Sequence, residues 1–268
     1  MQELITNECF YNLCIVVPIL SLFSFLSQAL PLSLLVYLDP VWIRNKYIKG
    51  RPSDEEILHQ ISWGLYYSIL NHIVLFASLA IGFPILERYA RMVMIFDDSV
   101  SFLSLKSALQ FIMIIYLEDY LYYNLHRLFH CNKRLFRFVH ALHHTVRRPV
   151  AMAGHYMTVS EFFMIGGTVI LTPFLVGTMG VLIGLDAQVH YKVLMIWIVF
   201  RQFEASEEHC GFESPLLLAK YFIPAYDGPA FHYFHHFKVI GNYGAITAIH
   251  DKYNNTISKG YLEHIQNK

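Results

Sequence analysis

The chain has 268 residues, 55% of them hydrophobic and only 15% charged, whereas soluble domains carry about 25% charged residues. Its 20 basic and 20 acidic side chains cancel, which leaves no electrostatic case for binding nucleic acid. Four cysteines without a CxxC pair argue against a disulfide framework and favour a catalytic face in the reducing cytosol.

Long apolar runs follow one another along the chain. Residues 9–38, 57–86 and 162–185 contain no Asp, Glu, Lys or Arg, and 107–125 is interrupted only by Glu118 and Asp119. A helix needs about 20 apolar residues to span a bilayer, and no alternating barrel pattern is present. We therefore predict an all-α integral membrane protein with about four transmembrane or re-entrant helical segments and a cytosolic, His-rich helical di-metal domain.

Two basic segments set the expected orientation of these helices. Residues 41–56 carry four Lys or Arg, and 126–148 carry six with no acid among them. Basic loops stay on the cytoplasmic side, so both segments are predicted to face the cytosol. Within the first, Ser53 and Glu56 have the spacing of a helix-capping box. We divide the chain into N-terminal membrane helices with this basic loop, 1–125, and a catalytic domain that includes a membrane hairpin at 162–200, 126–268.

Nine clustered histidines carry the chemical signal of the sequence. Imidazole binds zinc, copper, iron or nickel, and nine nitrogens exceed the needs of one tetrahedral site. The spacings i, i+3 and i+4 place rings on one helical face, so the set predicts a binuclear metal centre. Its members are His126 and His130, then His140, His143 and His144, then the lone His209, and finally His232, His235 and His236.

Other polar residues near these clusters are weaker candidates. Asp119 lies two helical turns before His126 and is expected to accept a hydrogen bond from a ligand ring. Glu204 and Glu207 precede His209 and could do the same, or could belong to a solvated face. His155 follows the second cluster by eleven residues and is a further candidate ligand.

The ordered clusters resemble the sterol desaturase / fatty acid hydroxylase superfamily, whose pattern is HxxxH, HxxHH and a later HxxHH. Within it, the chain is most similar to C-4 methylsterol monooxygenases, and cholesterol 25-hydroxylases are also similar. Four stretches carry the resemblance: Glu118-Asp119 ahead of His126-Arg127, Arg201 to Gly211, Phe231 to His236, and Gly241-Asn242-Tyr243-Gly244. The chain departs from the pattern at Thr158, where the family has a ligand histidine, and His155 replaces a family Glu one turn earlier.

The resemblance implies a membrane di-iron oxygenase that acts on sterol C–H bonds, by methylsterol oxidation or sterol hydroxylation. It implies two iron ions, O2, and electrons from NAD(P)H through cytochrome b5 or a reductase. It also implies a role in lipid biosynthesis at the endoplasmic reticulum membrane of a eukaryote, with the catalytic face in the cytosol. The departure at Thr158 bears on the substrate and the outcome of the reaction more than on the metals.

Several other functions stay open at this point. The same scaffold could hydroxylate or desaturate fatty acyl or sphingolipid chains. A histidine-rich metal transporter would place its ligands between spans at mid-membrane depth. A membrane cytochrome would use paired histidines on facing spans, and a zinc hydrolase would keep the metals but not the oxygen chemistry.

Overall fold

The computed structural model describes residues 7–185, 187–214, 217, 221 and 223–266. The regular structure of these residues is helical apart from one two-residue parallel pairing, in which β1 (Met94–Ile95) lies beside β2 (Val189–His190), and two isolated bridges, Tyr47 with Phe212 and Tyr226 with Thr247. The longer helices are α1 (Glu8–Leu38), α2 (Asp54–Val93), α3 (Leu105–Cys131), α4 (Val159–Leu182), α5 (Tyr191–Glu208) and α6 (Gly228–Lys238). Two short helices follow, α7 (Ile249–Asn254) and α8 (Lys259–Gln266).

Short helical turns connect α3 to α4. They cover Lys133–Leu135, Phe136–His140, His143–Thr145 and Ala151–His155. Helix α1 packs along α5 and α2, and α4 packs against α3 and α2. The turn Ala151–His155 packs against α1, α2 and α5, and α6 packs against α5.

Three of the described helices, α1, α2 and α4, are long and apolar enough to cross a membrane. The fourth predicted segment, 107–125, is helical but lies inside α3, which is not among these three. Glu118 and Asp119 are both fully buried there. Glu118 contacts Thr168 of α4 and Arg201 of α5, and Asp119 contacts the loop at Ile246 and Thr247. Helix α3 thus buries one polar face inside the bundle and exposes apolar side chains such as Leu109, Ile112 and Met113 on the other. The prediction of a membrane segment at 107–125 stays a prediction.

The helix start predicted at Ser53 is confirmed. The Ser53 hydroxyl accepts the Glu56 backbone N–H at 3.2 Å, and the Glu56 carboxylate accepts the Ser53 N–H at 2.7 Å. This reciprocal pair satisfies two of the backbone donors left open at a helix start. At the end of the preceding helix, Asp39 takes a left-handed φ of 46°. Pro40 then prevents α1 from continuing.

The contact between α4 and α5 depends on a proline. Pro173 has no N–H, so it cannot bond to the carbonyl of Val169 one turn earlier in α4. The indole N–H of Trp197 in α5 donates to that carbonyl at 2.9 Å. Trp197 is fully buried, so its polar group and the orphaned carbonyl satisfy each other where water does not reach.

Polar side chains on α1 and α2 hold the irregular segment 148–155 between them. Gln60 donates to the Arg148 carbonyl at 3.0 Å and accepts from the Val150 N–H at 2.8 Å. Ser33 accepts the Met152 N–H at 2.9 Å. Backbone outside regular structure must find such partners when it is buried among apolar helices. These side chains therefore explain why polar residues occur within the apolar runs.

Gly64 is predicted to be required for this packing. A Cβ at position 64 would lie 2.4 Å from the Met152 carbonyl oxygen, whose backbone is already held by Ser33. Overpacking of this kind costs about 1–3 kcal/mol, so Gly64→Ala should lower the thermal unfolding midpoint of the protein in detergent.

Gly82→Ala is the matched control, because it lies in the same helix and a Cβ there meets nothing within 4 Å. Alanine favours a helix over glycine by about 1 kcal/mol, so this variant should unfold at the same temperature as wild type or higher. An unchanged midpoint for Gly64→Ala would contradict the close contact.

Candidate metal centre

The nine clustered histidines converge into two groups. In each group the ligand nitrogens all lie within 4.8 Å of one another. All the rings are buried except that of His130, which is partly exposed. Group A consists of His126, His130, His140, His144 and His235. Group B consists of His143, His209, His232 and His236.

Each HxxHH motif contributes to both groups. His143 and His144 are neighbours in sequence but belong to different groups, as do His235 and His236. Successive residues of a helical turn point about 100° apart, so adjacent rings diverge toward two centres. The sequence-based expectation of three rings on one face is therefore refined, because every triplet is divided between the two sites.

Backbone carbonyls fix the protonation of two group A rings. His126 donates from Nδ1 to the Tyr243 carbonyl at 2.8 Å, and His235 donates from Nδ1 to the Gly241 carbonyl at 2.8 Å. A carbonyl oxygen only accepts, so each Nδ1 carries the proton. In a neutral ring, Nε2 is then left with a free lone pair.

The same arrangement recurs in group B. His209 donates from Nδ1 to the Ala205 carbonyl at 2.8 Å, and His236 donates from Nδ1 to the Val146 carbonyl at 2.8 Å. The Nε2 atom of His236 is buried and has no hydrogen-bond partner among the described residues. An unsatisfied lone pair in such a place needs a partner that the polypeptide does not supply.

The Nε2 atoms of group A face one another at distances that hydrogen bonding does not explain. His140 Nε2 lies 3.0 Å from the Nε2 of His126, 3.0 Å from that of His130 and 2.9 Å from that of His144. One imidazole nitrogen cannot share a proton with three others. A cation among them removes the repulsion between the lone pairs, so the donor set fits a metal ion.

The spacing also indicates the kind of coordination. Nitrogens bound to one ion at about 2.1 Å lie ~3.0 Å apart at right angles and ~3.4 Å apart in a tetrahedron. The distances around His140 match right angles, and five donors exceed a tetrahedral shell. In group B, His232 Nε2 lies 3.0 Å and His143 Nε2 3.4 Å from His209 Nε2.

Burial keeps the rings neutral and able to bind metal. Desolvation lowers the pKa of His140 to about 3 and that of His143 to about 4. The pKa values of His232 and His236 also lie well below the ordinary histidine range, again mainly through burial. At neutral pH no proton therefore competes with a metal for these nitrogens.

Glu161 is a site residue that the sequence analysis missed. Its carboxylate accepts from His140 Nδ1 at 2.6 Å, and both side chains are buried. A carboxylate in this position fixes the ring and makes Nε2 a stronger donor. The sequence signal that could have identified Glu161 is that it is an acid in the first turn of an otherwise charge-free helix.

Asp119 lies near the site but acts on it through a loop. Its carboxylate accepts from the backbone N–H of Ile246 at 3.0 Å and from that of Thr247 at 3.2 Å. The expectation that it bonds directly to a ligand ring is therefore corrected. It holds the loop that contains Tyr243, whose carbonyl orients His126.

Glu204 and Glu207 are fully buried, which excludes a solvated face. Glu204 pairs with Arg201, and Glu207 accepts from Gln28 at 3.2 Å. Both nitrogens of His209 have other neighbours, the Ala205 carbonyl and the facing imidazoles. Backbone therefore fills the role that was expected of the two acids.

His155 is not brought to either group. Its ring stacks on Phe25 with centroids 3.5 Å apart and lines a small cavity beside His143 and His209. Thr158 begins α4, donating to the Val139 carbonyl at 2.9 Å and accepting from the Glu161 N–H at 3.2 Å. The expectation that His155 coordinates metal is therefore corrected, since its ring belongs to neither group.

Two adjoining cavities extend from the metal centre into the helical bundle. The inner one, about 70 Å³, is lined by His143, His209 and polar residues of α5. The outer one, about 280 Å³, is lined almost entirely by apolar side chains of α1, α2, α4 and α5. The cavities share Phe162, Gly166, Val169 and Gln202, so they meet at one junction.

Comparison with known proteins points to one family. The sequence profile described as "Fatty acid hydroxylase" matches residues 111–256, a range that contains all nine histidines. Methylsterol monooxygenase 2-2 of Arabidopsis thaliana is 32% identical over 139 residues, which is 51% of this chain and 47% of that protein. Methylsterol monooxygenase erg25A of Aspergillus fumigatus is 25% identical over 222 residues, 82% of this chain and 69% of that protein.

A relative with a different named activity is also similar. Very-long-chain aldehyde decarbonylase GL1-10 of Oryza sativa subsp. japonica is 35% identical over 130 residues, 48% of this chain and 39% of that protein. The chain thus spans about half the length of the curated relatives it matches, from 38% to 69%. No solved structure matches significantly.

We predict that Glu161→Gln weakens metal binding in group A. The variant keeps the side-chain size but replaces the buried carboxylate that orients His140, a change that typically costs about 10–100-fold in metal affinity. Competition with a chelator of known affinity, followed by metal analysis of the protein, measures the change.

Glu55→Gln makes the same substitution at an exposed position in the first turn of α2 and should keep wild-type affinity. Equal affinity in the two variants would show that Glu161 contributes nothing to the metal site.

Proposed function

Because the chain belongs to the fatty acid hydroxylase family, we propose that it is a membrane di-iron oxygenase that oxidises a sterol C–H bond. Dioxygen would supply one oxygen atom to the substrate and one to water, with two electrons and two protons taken up. The electrons would come from NAD(P)H through cytochrome b5 or a reductase. In a eukaryote, the enzyme would face the cytosol from the endoplasmic reticulum membrane.

One observation carries this proposal: nine imidazoles form two adjacent groups whose free lone pairs point inward. We assign His126, His130, His140, His144 and His235 to one iron, and His143, His209, His232 and His236 to the other. Bound iron would supply the activation of dioxygen that no amino-acid side chain can provide. The polypeptide holds the ions in a neutral nitrogen shell, shields them from water and positions the substrate.

The donor set favours this chemistry over the non-oxygenase alternatives. Zinc in a hydrolase is usually tetrahedral and has at most four protein ligands. Group A, by contrast, offers five nitrogens. A transporter needs ligands between its spans at mid-membrane depth. The nine histidines lie outside the three helices that are long and apolar enough to span.

Exposed cations support the proposed electron donor. Arg134, Arg137, Arg147 and Arg148 are exposed beside the second histidine motif. An acidic carrier protein would be steered to such a surface by electrostatic attraction. Electrons delivered there would reach the histidine shell directly below it.

The apolar outer cavity supports a lipid substrate. Its walls come from three helices that fit membrane spans, together with α5. A sterol would pass laterally between these helices and reach the metals through the inner cavity. A fatty acyl chain would fit the same apolar walls, so the hydroxylation or desaturation of acyl or sphingolipid chains is the second candidate.

The substrate is tested by lipid mass spectrometry of cells that express the protein. We expect sterols that have gained oxygen or lost a methyl group. His143→Ala and His235→Ala each remove one ligand from a different group, so both should abolish the product while the protein stays in the membrane fraction.

His59→Ala is the matched control, since His59 is exposed on α2 and belongs to neither group. Product formation by both ligand variants would contradict the assignment of the metal centre. New hydroxyl groups on fatty acyl chains, with unchanged sterols, would favour the second candidate.

Access through the cavity junction is tested by Gly166→Leu. A Cβ at position 166 meets nothing within 4 Å, so leucine should fill the junction without disturbing the backbone. We expect at least a tenfold loss of sterol turnover with unchanged metal content.

Gly82→Leu adds the same side chain where there is equal open space and no contribution to either cavity, so turnover should be retained. Wild-type turnover in Gly166→Leu would rule out this route.

A further inference from the structure

A chain of hydrogen bonds ends at the junction of the two cavities. His72 donates from Nδ1 to the Ser68 carbonyl at 2.7 Å, so the Nε2 of the neutral ring is an acceptor. It lies 2.9 Å from the Ser21 hydroxyl, which therefore donates to it. Ser21 in turn accepts from the Nε2 amide group of Gln202 at 2.9 Å. The chain of donors fixes which end of the Gln202 amide points away from Ser21.

The other end of that amide has only a weak partner. Gln202 Oε1 is shielded from water and interacts with the His155 ring as a side-chain hydrogen-bond acceptor, but the contact lacks the distance or angle of a full hydrogen bond, and no other described residue donates to it. A carbonyl oxygen has two lone pairs, so Oε1 can accept a further hydrogen bond, and a buried acceptor with so weak a donor is unfavourable. Since Gln202 lines both cavities, a molecule that occupies them is the available source of a further donor.

We propose that Gln202 is a specificity-determining residue that accepts a hydrogen bond from a hydroxyl group of the substrate. This inference rests on the proposed function and deepens it. A hydroxyl group both donates and accepts, so it suits Gln202 Oε1 with the His155 ring beside it. An acyl ester or thioester offers acceptors only and would leave Oε1 without a further donor.

The position of Gln202 also sets the direction in which the substrate binds. The inner cavity that contains Gln202 also contains His143 and His209 of group B. The outer cavity, lined by Leu75, Leu79 and other apolar side chains, would hold the hydrocarbon body. The hydroxyl end therefore faces the metals, and the carbon that reacts lies close to the carbon that bears the hydroxyl. A substrate oxidised at its far hydrocarbon end would need the opposite orientation.

The experiment compares the binding of two sterols to purified, metal-loaded protein in lipid nanodiscs. The probes are a radiolabelled 4-methylsterol with a free 3-hydroxyl group and its 3-deoxy analogue. A site built to pair with a hydroxyl rejects the analogue that lacks it, so wild type should bind the free sterol at least tenfold more tightly. Gln202→Leu should bring this ratio close to one, mainly by weakening the binding of the free sterol.

Two further variants distinguish a specific loss of hydroxyl preference from misfolding. Ser21→Ala keeps the Gln202 carbonyl but releases its orientation, so the ratio should fall part of the way. Gln28→Leu removes a similar, half-buried amide whose Oε1 also lacks a full hydrogen bond among the described residues but which lies outside both cavities, so its ratio should match wild type. Equal binding of the two sterols by wild type, or a full preference in Gln202→Leu, would overturn the proposal.

Because binding is measured without turnover, the two proposals can fail separately. A hydroxyl preference without any oxidised product would keep the role of Gln202 and remove the oxygenase. An oxidised sterol without a hydroxyl preference would do the reverse.

Discussion

The metal centre depends on ligand rings that donate a hydrogen bond from Nδ1–H on the outer side of the site. Nδ1–H groups donate to carbonyls at Tyr243, Gly241, Ala205 and Val146, and this leaves Nε2 lone pairs facing inward. Burial prevents these rings from taking up a second proton. As a result, several Nε2 lone pairs lie close together and repel one another, and a bound cation would remove this repulsion. Metal binding and the final packing of these elements are therefore coupled in free energy.

Buried carboxylates supply the next layer of support. Asp251 accepts from the backbone N–H of Tyr243 at 2.9 Å and from that of Gly244 at 2.7 Å, while Asp119 holds the residues that follow. Two acids from different helices thus fix one loop, and the loop fixes His126. Such groups are costly to bury unless every oxygen is paired. Their partners are backbone amides together with the hydroxyl groups of Thr247 and Thr256.

The apolar helices also take part in the site. Gln60 and Ser33 satisfy the irregular backbone that leads from the second histidine motif to α4. Ser21 and His72, on the two N-terminal helices, orient an amide of α5 at the cavity junction. The division of the chain at residue 125 stays a prediction. The N-terminal helices form walls of the outer cavity, so their contribution extends beyond a membrane anchor.

The sequence by itself determined the helical class, three of its four predicted apolar helices as long enough to span a membrane, the capped start at Ser53 and the convergence of the nine clustered histidines, because these depend on composition and on spacing along one chain. It did not determine how each HxxHH motif divides between two centres, or that Glu161 supports His140. It also misjudged Asp119 and His155, whose roles depend on which loop or ring lies beside them. Only the tertiary structure decided these points, because hydrogen-bond partners 20 to 130 residues away in sequence leave no periodic trace.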